Sequence, residues 1–207
     1  MARAWNDIDW AMARPSQNEL IDSWSSLQWE FRSLRAPALG CYLDALASTR
    51  GNGGYLIGRW NAVEYSEVTQ WFTSRNRLDE YELFRTLFVS PAFREHLPEL
   101  DVPDDLARVP GRLAEQWAGS LKLDGEWAGL LVSGGAYTAF DGSAREAKEL
   151  ATAATDELIG DRFKDFRVDH SNEAWTPWFA DIAWDATYVL TDMRNAEVTV
   201  LCTTDTD

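Results

Sequence analysis

Aromatic side chains set the strongest constraint on what this chain can fold into, because 11 Trp, 9 Phe and 6 Tyr lie among its 207 residues. Each ring removes roughly 150–250 Å² from water when buried, but only if neighbouring groups enclose it, and a buried indole N–H also needs an acceptor. Aromatic packing is therefore expected to dominate the core, with some rings left at a surface or a ligand groove. A chain of this length can enclose one substantial core without disulfides or metals. With 45% hydrophobic and 26% charged residues, the composition is that of a globular protein.

Hydrophobic spacing and turn chemistry predict an α+β fold in which a helical N-terminal half packs on an antiparallel sheet formed mainly by the C-terminal half. Ser16 and Glu19 form a capping box ahead of Leu20, Ile21, Trp24, Leu27, Phe31 and Leu34, which predicts one helix running to about Pro37. A second helix is expected from Pro37 through Leu39, Tyr42, Leu43 and Leu46, broken by Gly51-Asn52-Gly53-Gly54. Residues 60–74 and 78–88 read as two further helices, Ser90-Pro91 as the opening of a short turn, Pro98 to Pro110 as irregular chain, and Leu113, Trp117 and Leu121 as one more helix.

Beyond Asp124 the expectations change to a hairpin around Ser133-Gly134-Gly135 and a capped helix from Ser143 to Gly160. Three strands follow, at Phe163–His170, Phe179–Thr191 and Glu197–Thr203. Asp192-Met193-Arg194-Asn195 joins the last two. In the strand from Phe179, Ile182, Trp184, Ala186, Tyr188 and Leu190 share one face, so the sheet is expected to cover the core with one face only. The whole chain, 1–207, reads as one domain. A change of pattern near residue 124 marks possible subdomains 1–123 (helical) and 124–207 (α+β).

The formal net charge is −15, and it is uneven: residues 1–103 hold 14 acidic and 10 basic side chains, residues 104–207 hold 20 and 9. Such a field repels phosphate backbones and anionic lipid, so binding to nucleic acid or to a membrane is not expected, whereas a basic partner or a cation is attracted. An acidic surface also arises from solubility alone. Cys41 and Cys202 are the two cysteines and have no metal-ligand spacing. The segment from Met1 to Asp7 lacks the apolar run of a secretory signal, and no stretch of about 18 apolar residues is present, so a cytoplasmic protein with reduced thiols is expected.

Catalytic and cofactor signatures are weak. His96 and His170 are the two imidazoles, and the nucleophile elbow of a serine hydrolase does not occur. Gly51-Asn52-Gly53-Gly54 lacks the Lys-Ser/Thr of a phosphate loop and reads as a turn. Asp169, His170 and Glu173 carry metal-ligating atoms, but strand alternation sends Asp169 and His170 to opposite faces, and the expectation is a solvated strand end with no metal and no cofactor. Glu64 and Glu67 read as an exposed pair on a helix face among Trp60, Tyr65 and Trp71.

The C-terminus, Thr203-Thr204-Asp205-Thr206-Asp207, supplies the most unusual pattern. Hairpin pairing is expected to bring Asp205 and Asp207 beside Asp181 and towards Asp185, placing four carboxylates at one sheet end flanked by Trp175, Trp178 and Trp184. These seven residues are the partner-binding site that the sequence predicts, with no catalytic residues and no metal ligands. The function expected is a non-enzymatic acidic protein-interaction module; by analogy of charge and size, an immunity-type inhibitor of a basic bacterial toxin would suit it. Two alternatives are a small-ligand binder or hydrolase whose pocket gathers Glu64, Glu67, Asp169 or His170, and a structural subunit of a larger assembly. The sequence carries no signal for an oligomeric state.

Overall fold

A computed structural model of the chain describes residues 4–104, 106 and 113–207. The fold is α+β and is organised by a six-stranded antiparallel sheet. Its strands are β1 (Gln28–Arg32), β2 (Gly54–Glu64), β3 (Ala114–Glu115), β4 (Phe166–Ser171), β5 (Ala186–Asp192) and β6 (Glu197–Thr204), in the spatial order β1-β2-β6-β5-β4-β3. The centre is the β5–β6 hairpin, where Asp192 pairs with Glu197. As the sequence implied, its turn lies at Asp192 to Asn195, and the Asp192 carboxylate fixes it by accepting the backbone N–H groups of Arg194 and Asn195.

Helices cover both faces of this sheet, whereas only one buried face was expected. Every residue of β5 is buried. On one face Val189, Val198, Val200, Cys202 and Trp60 join a large aromatic cluster. That cluster is enclosed by five short helices, α1 (Gln17–Trp24), α3 (Glu67–Ser74), α4 (Leu78–Tyr81), α5 (Leu83–Phe88) and α6 (Pro91–His96). On the opposite face Ala186, Tyr188, Leu190, Leu201 and Val168 pack beneath three longer helices, α2 (Pro37–Thr49), α7 (Gly119–Ser133) and α8 (Ala144–Ile159). Residues of alternating parity thus enter two cores, which is why the strand reads as apolar throughout. Among the described residues no helix is long and apolar enough to cross a membrane.

Helices α2 and α8 lie where their caps and stripes placed them, and both expected capping boxes, at Ser16 and Ser143, are present. The Ser16 helix, however, ends at Trp24, and the chain enters β1 four residues later. Ile21, part of the expected stripe, is 47% exposed, while Trp29, outside it, is buried through strand alternation. Residues 60–64 belong to β2 and not to a helix, since Trp60 and Ala62 alternate inward before Ser66 caps α3. The expected 78–88 helix is broken at Glu82, whose φ of 58° lies in the left-handed region.

Three further readings of the second half are corrected. Trp127 to Ser133 completes α7 and forms no hairpin: Leu123, Trp127 and Leu131 recur every four residues on its buried side, and Gly134, at φ 67°, ends the helix. Gly135 sits so close to the Thr49 carbonyl and the Asp205 carboxylate that a Cβ would overlap both. Leu113 and Trp117 precede α7, and the strand expected from Phe179 begins at Ala186. The irregular stretch from Pro98 to Pro110 lies partly outside the described residues, as do Met1 to Arg3.

Candidate functional site

The expected C-terminal carboxylate cluster is divided between the interior and the surface. Asp185 is buried and accepts hydrogen bonds from the Ala180 and Ile182 amides and from the Thr204 hydroxyl, which ties the loop before β5 to the end of β6. Asp205 is also buried; it accepts the amides of Asn52 at 2.9 Å and Ala136 at 2.7 Å. Burial pushes the Asp205 pKa up, but the amides of Asn52, Ala136 and Thr206, with Arg50 nearby, outweigh it and hold the carboxyl below its usual range. Asp181 and Asp207 remain exposed. Internal donors thus satisfy two of the four carboxylates, and no exterior cation is needed to relieve repulsion among them.

Of the three expected flanking rings, Trp175 stacks on Phe88 at 4.8 Å and donates its indole N–H to Thr187 Oγ1. Trp178 meets Phe179 edge-on at 5.1 Å, and Trp184 is half-buried. On β4, Asp169 and His170 do face opposite sides of the sheet. Asp169 is fully buried against Arg167, which donates through two nitrogens at 2.6 and 2.8 Å, while His170 stacks on Tyr188 at 4.4 Å. Burial, opposed by Arg167, raises the Asp169 pKa to about 6. Arg167 also reaches Asp79 and Glu115, so one guanidinium serves three carboxylates and fastens β3 and α4 to β4. Among the described residues no three His, Cys, Asp or Glu side chains are placed to hold a metal ion.

A different set of acids is gathered around an open cleft. It forms where β2 ends and α3 begins. The strand turns at Glu64, and Ser66 accepts the Thr69 amide to start α3, with Glu67 in its first turn. Glu64 and Glu67 are therefore presented from a strand-to-helix junction and not from one helix face. The segment at residues 9–12 forms the opposite wall. The resulting cleft, of about 640 Å³, is lined by Asp9, Met12, Val63, Glu64, Tyr65, Ser66, Glu67 and Gln70. Asp9 also belongs to an adjoining hollow with Asp7, Ile8, Trp10 and Ala11.

Local packing explains the shape of both walls. Tyr65 stands edge-on to the buried Trp5 at 5.9 Å, which fixes one end. Arg75 lies over Trp71, 4.5 Å from its ring centre, and donates to the Asp9 carbonyl at 2.8 Å. It also lies 5.9 Å from the centre of the Trp10 ring. Trp10 lines the adjoining hollow and is 82% exposed. Gln70 is only 6% exposed and donates through Nε2 to the carbonyls of Ala4 at 2.7 Å and Asp7 at 3.2 Å.

Glu64 and Glu67 are legible in the sequence as a pair, whereas Asp7, Asp9, Trp10 and Gln70 are not among the residues its motifs single out. A local signal was present: Trp5-Asn6-Asp7-Ile8-Asp9-Trp10 interleaves acids with large apolar side chains. Chemically, the cleft offers negative charge, an aromatic ring and a thioether wall, a combination that suits a cationic group with an apolar stem. No protein-family model, curated protein or solved structure matches the chain.

Proposed function

We propose that this chain is a non-enzymatic interaction module whose acidic cleft receives a basic segment of a partner protein. The observation that carries the reading is the meeting of Asp9, Glu64 and Glu67 around one cleft, next to a hollow lined by Asp7 and by Trp10, which is 82% exposed. Buried interfaces are commonly anchored by Trp and Tyr, and carboxylates of one sign steer a basic partner to them. The net charge of −15 adds a long-range attraction that raises the association rate and fades as salt screens it. Inhibition of a basic toxin is one role that this arrangement suits.

The alternative of a catalytic or small-ligand pocket would be favoured by convergence of Glu64, Glu67, Asp169 or His170, and of these Glu64 and Glu67 line the cleft while Asp169 and His170 do not. Those residues lie on β4, separated from β2 by β6 and β5. The interaction reading therefore accounts for more of the cleft than the enzyme reading does.

Affinity capture at low salt tests this with three forms of the protein. One is native; one carries Asp7→Asn, Glu64→Gln and Glu67→Gln; the third loses the same charge from exposed positions on the other side of the sheet through Asp44→Asn, Glu149→Gln and Asp156→Asn. The expected result is a basic protein retained by the native and third forms and lost from the cleft variant. Equal retention by all three, or retention of nothing, would refute the proposal.

A further inference from the structure

The sheet has two edges, and they are closed differently. At one edge β3 is two residues long and offers little for another strand to pair with. At the other, β1 is five residues long, and among the described residues its backbone pairs with β2 alone. Every second residue of β1 therefore turns its N–H and C=O away from the sheet, the pattern that accepts a further strand. Gln28, Glu30 and Arg32 are exposed. Glu30 and Arg32 share one face of the strand, joined by an ion pair of 3.1 Å. Phe31 lies between them on the other face, stacked on His96 at 3.7 Å and edge-on to Trp60 at 6.1 Å. On its β2 side Arg32 stands opposite Arg59, a like-charge pair.

We infer that β1 is a self-association edge, to which a second copy of this chain adds its own β1 antiparallel, joining two sheets into one. Charge complementarity selects that occupant. Two identical strands related by a two-fold axis through Glu30 set the carboxylate against its own copy, and an axis through Arg32 does the same to the guanidinium. With the axis through Phe31, Glu30 of each copy stands opposite Arg32 of the other, and the two Phe31 rings meet at the centre as a cross-strand aromatic pair. Glu30 of the second copy then reaches Arg32 from the side that β2 leaves open, which offsets the Arg32–Arg59 repulsion. An extended segment carrying charge of one sign would instead meet either Glu30 or Arg32 with its like. The charge of −15 on each copy opposes association at long range, so pairing depends on these local contacts. This pairing does not depend on what the cleft receives.

The test is sedimentation velocity on the full chain from about 1 to 500 μM, with amide hydrogen exchange as the local readout. The native protein is expected to dimerise as concentration rises and to gain protection at the β1 amides. Glu30→Arg and Arg32→Glu, both at exposed positions, each turn the two attractive pairs into repulsive ones. Each variant is expected to keep its melting temperature and to self-associate roughly tenfold more weakly or worse. Mixed in equal amounts, the two variants regain complementarity, because one chain then sets two guanidinium groups against two carboxylates of the other. The mixture is expected to associate within about threefold of the native affinity. Net charge alone predicts a different pattern, since Glu30→Arg makes the chain less negative and would strengthen self-association. A native chain that stays monomeric at every concentration overturns the inference. So does a dimer that both variants leave intact, which places the contact on another surface. A mixture that fails to associate while the native protein does also overturns it, because the charge-paired register is then wrong.

Discussion

The two faces of the sheet solve the same burial problem with different materials, one dominated by rings and the other by aliphatic and small side chains around Tyr42, Trp127 and Tyr188. One is filled by Trp5, Trp29, Trp60, Trp71, Phe72, Phe88 and Phe93, and it needs five helices of four to eight residues to enclose them. The other lies under helices of 13, 15 and 16 residues, and α8 meets it through Ala147, Ala151 and Ala154. Small side chains let a long helix lie close along its neighbours, since nothing projects far enough to force a bend. Rings of different orientation cannot be met by a continuous cylinder, so the chain turns often and its elements stay short. The cleft opens on the aromatic side, where frequent turns leave junctions that longer helices would have covered.

Removing a ring should have the largest effect. Trp60 is fully buried, packs on Phe93 at 4.6 Å, donates to the Ala92 carbonyl and lies over Gly58, where a Cβ would overlap the indole. Trp60→Ala is expected to cost about 3–5 kcal/mol in urea unfolding, because the surrounding short helices cannot all close on the cavity. The opposite face should fail by crowding. Ala151→Leu, at a fully buried position on the inner side of α8, is expected to cost about 1–3 kcal/mol in the same measurement. A ring truncation that costs less than the alanine enlargement would break the contrast between the two faces.

Acidity should separate the faces by sign. Asp169 belongs to the aromatic side and has a raised folded-state pKa of about 6, so its contribution is present below the unfolded value, about 3.9, and is lost as pH rises through about 6. Asp205 belongs to the other side and has a lowered pKa; its contribution is present above the unfolded value and is lost as pH falls through the folded one. The stability gap between the native protein and Asp169→Asn should therefore be wider at pH 4.5 than at pH 7. The gap to Asp205→Asn should be wider at pH 7 than at pH 3. Denaturant titrations across that range check both, and parallel slopes would contradict the assignment.

The smallest expected effect is a gain. Gly129 lies within α7, and a Cβ there would meet nothing within 4 Å. Gly129→Ala should stabilise the protein by about 0.5–1 kcal/mol, read as a higher urea midpoint with an unchanged slope.

The same contrast governs how much of the fold could be read from the sequence. Helices α2 and α8 carry long stripes of one period with unambiguous ends, at Pro37 and at Ser143 and Gly160, and the α+β class follows from them and from the C-terminal hairpin. On the aromatic side, Leu27, Trp29 and Phe31 satisfy a strand, while Leu27, Phe31 and Leu34 satisfy a helix, and pairing with β2 decides between them. At the end of α7, Ser133-Gly134-Gly135 mimics the turn of a hairpin, although Gly134 only ends a helix that packs against α8. The cleft was half visible. Glu64, Glu67 and Gln70 are local neighbours, but Asp9 and Met12 join them only because residues 4–12 cross over α3, and no spacing rule encodes that crossing. The burial of Asp205 was not legible for a related reason: its partners, Asn52 and Ala136, are remote in the chain.

The order of the strands bears on how the molecule is made. β2 pairs with β6 along Gly54 to Asn61, so residues in the first third of the chain find their neighbour only at 197–204. During synthesis from the N-terminus, β1 and β2 emerge early and must wait, with Trp29 and Trp60 unburied, until β6 has left the ribosome. Pairing over such a separation is slow, and the interval exposes a strand edge beside large apolar rings. The demand for a chaperone or for rapid completion should therefore fall most heavily on residues 28–64, the part of the sheet that is made first and closed last.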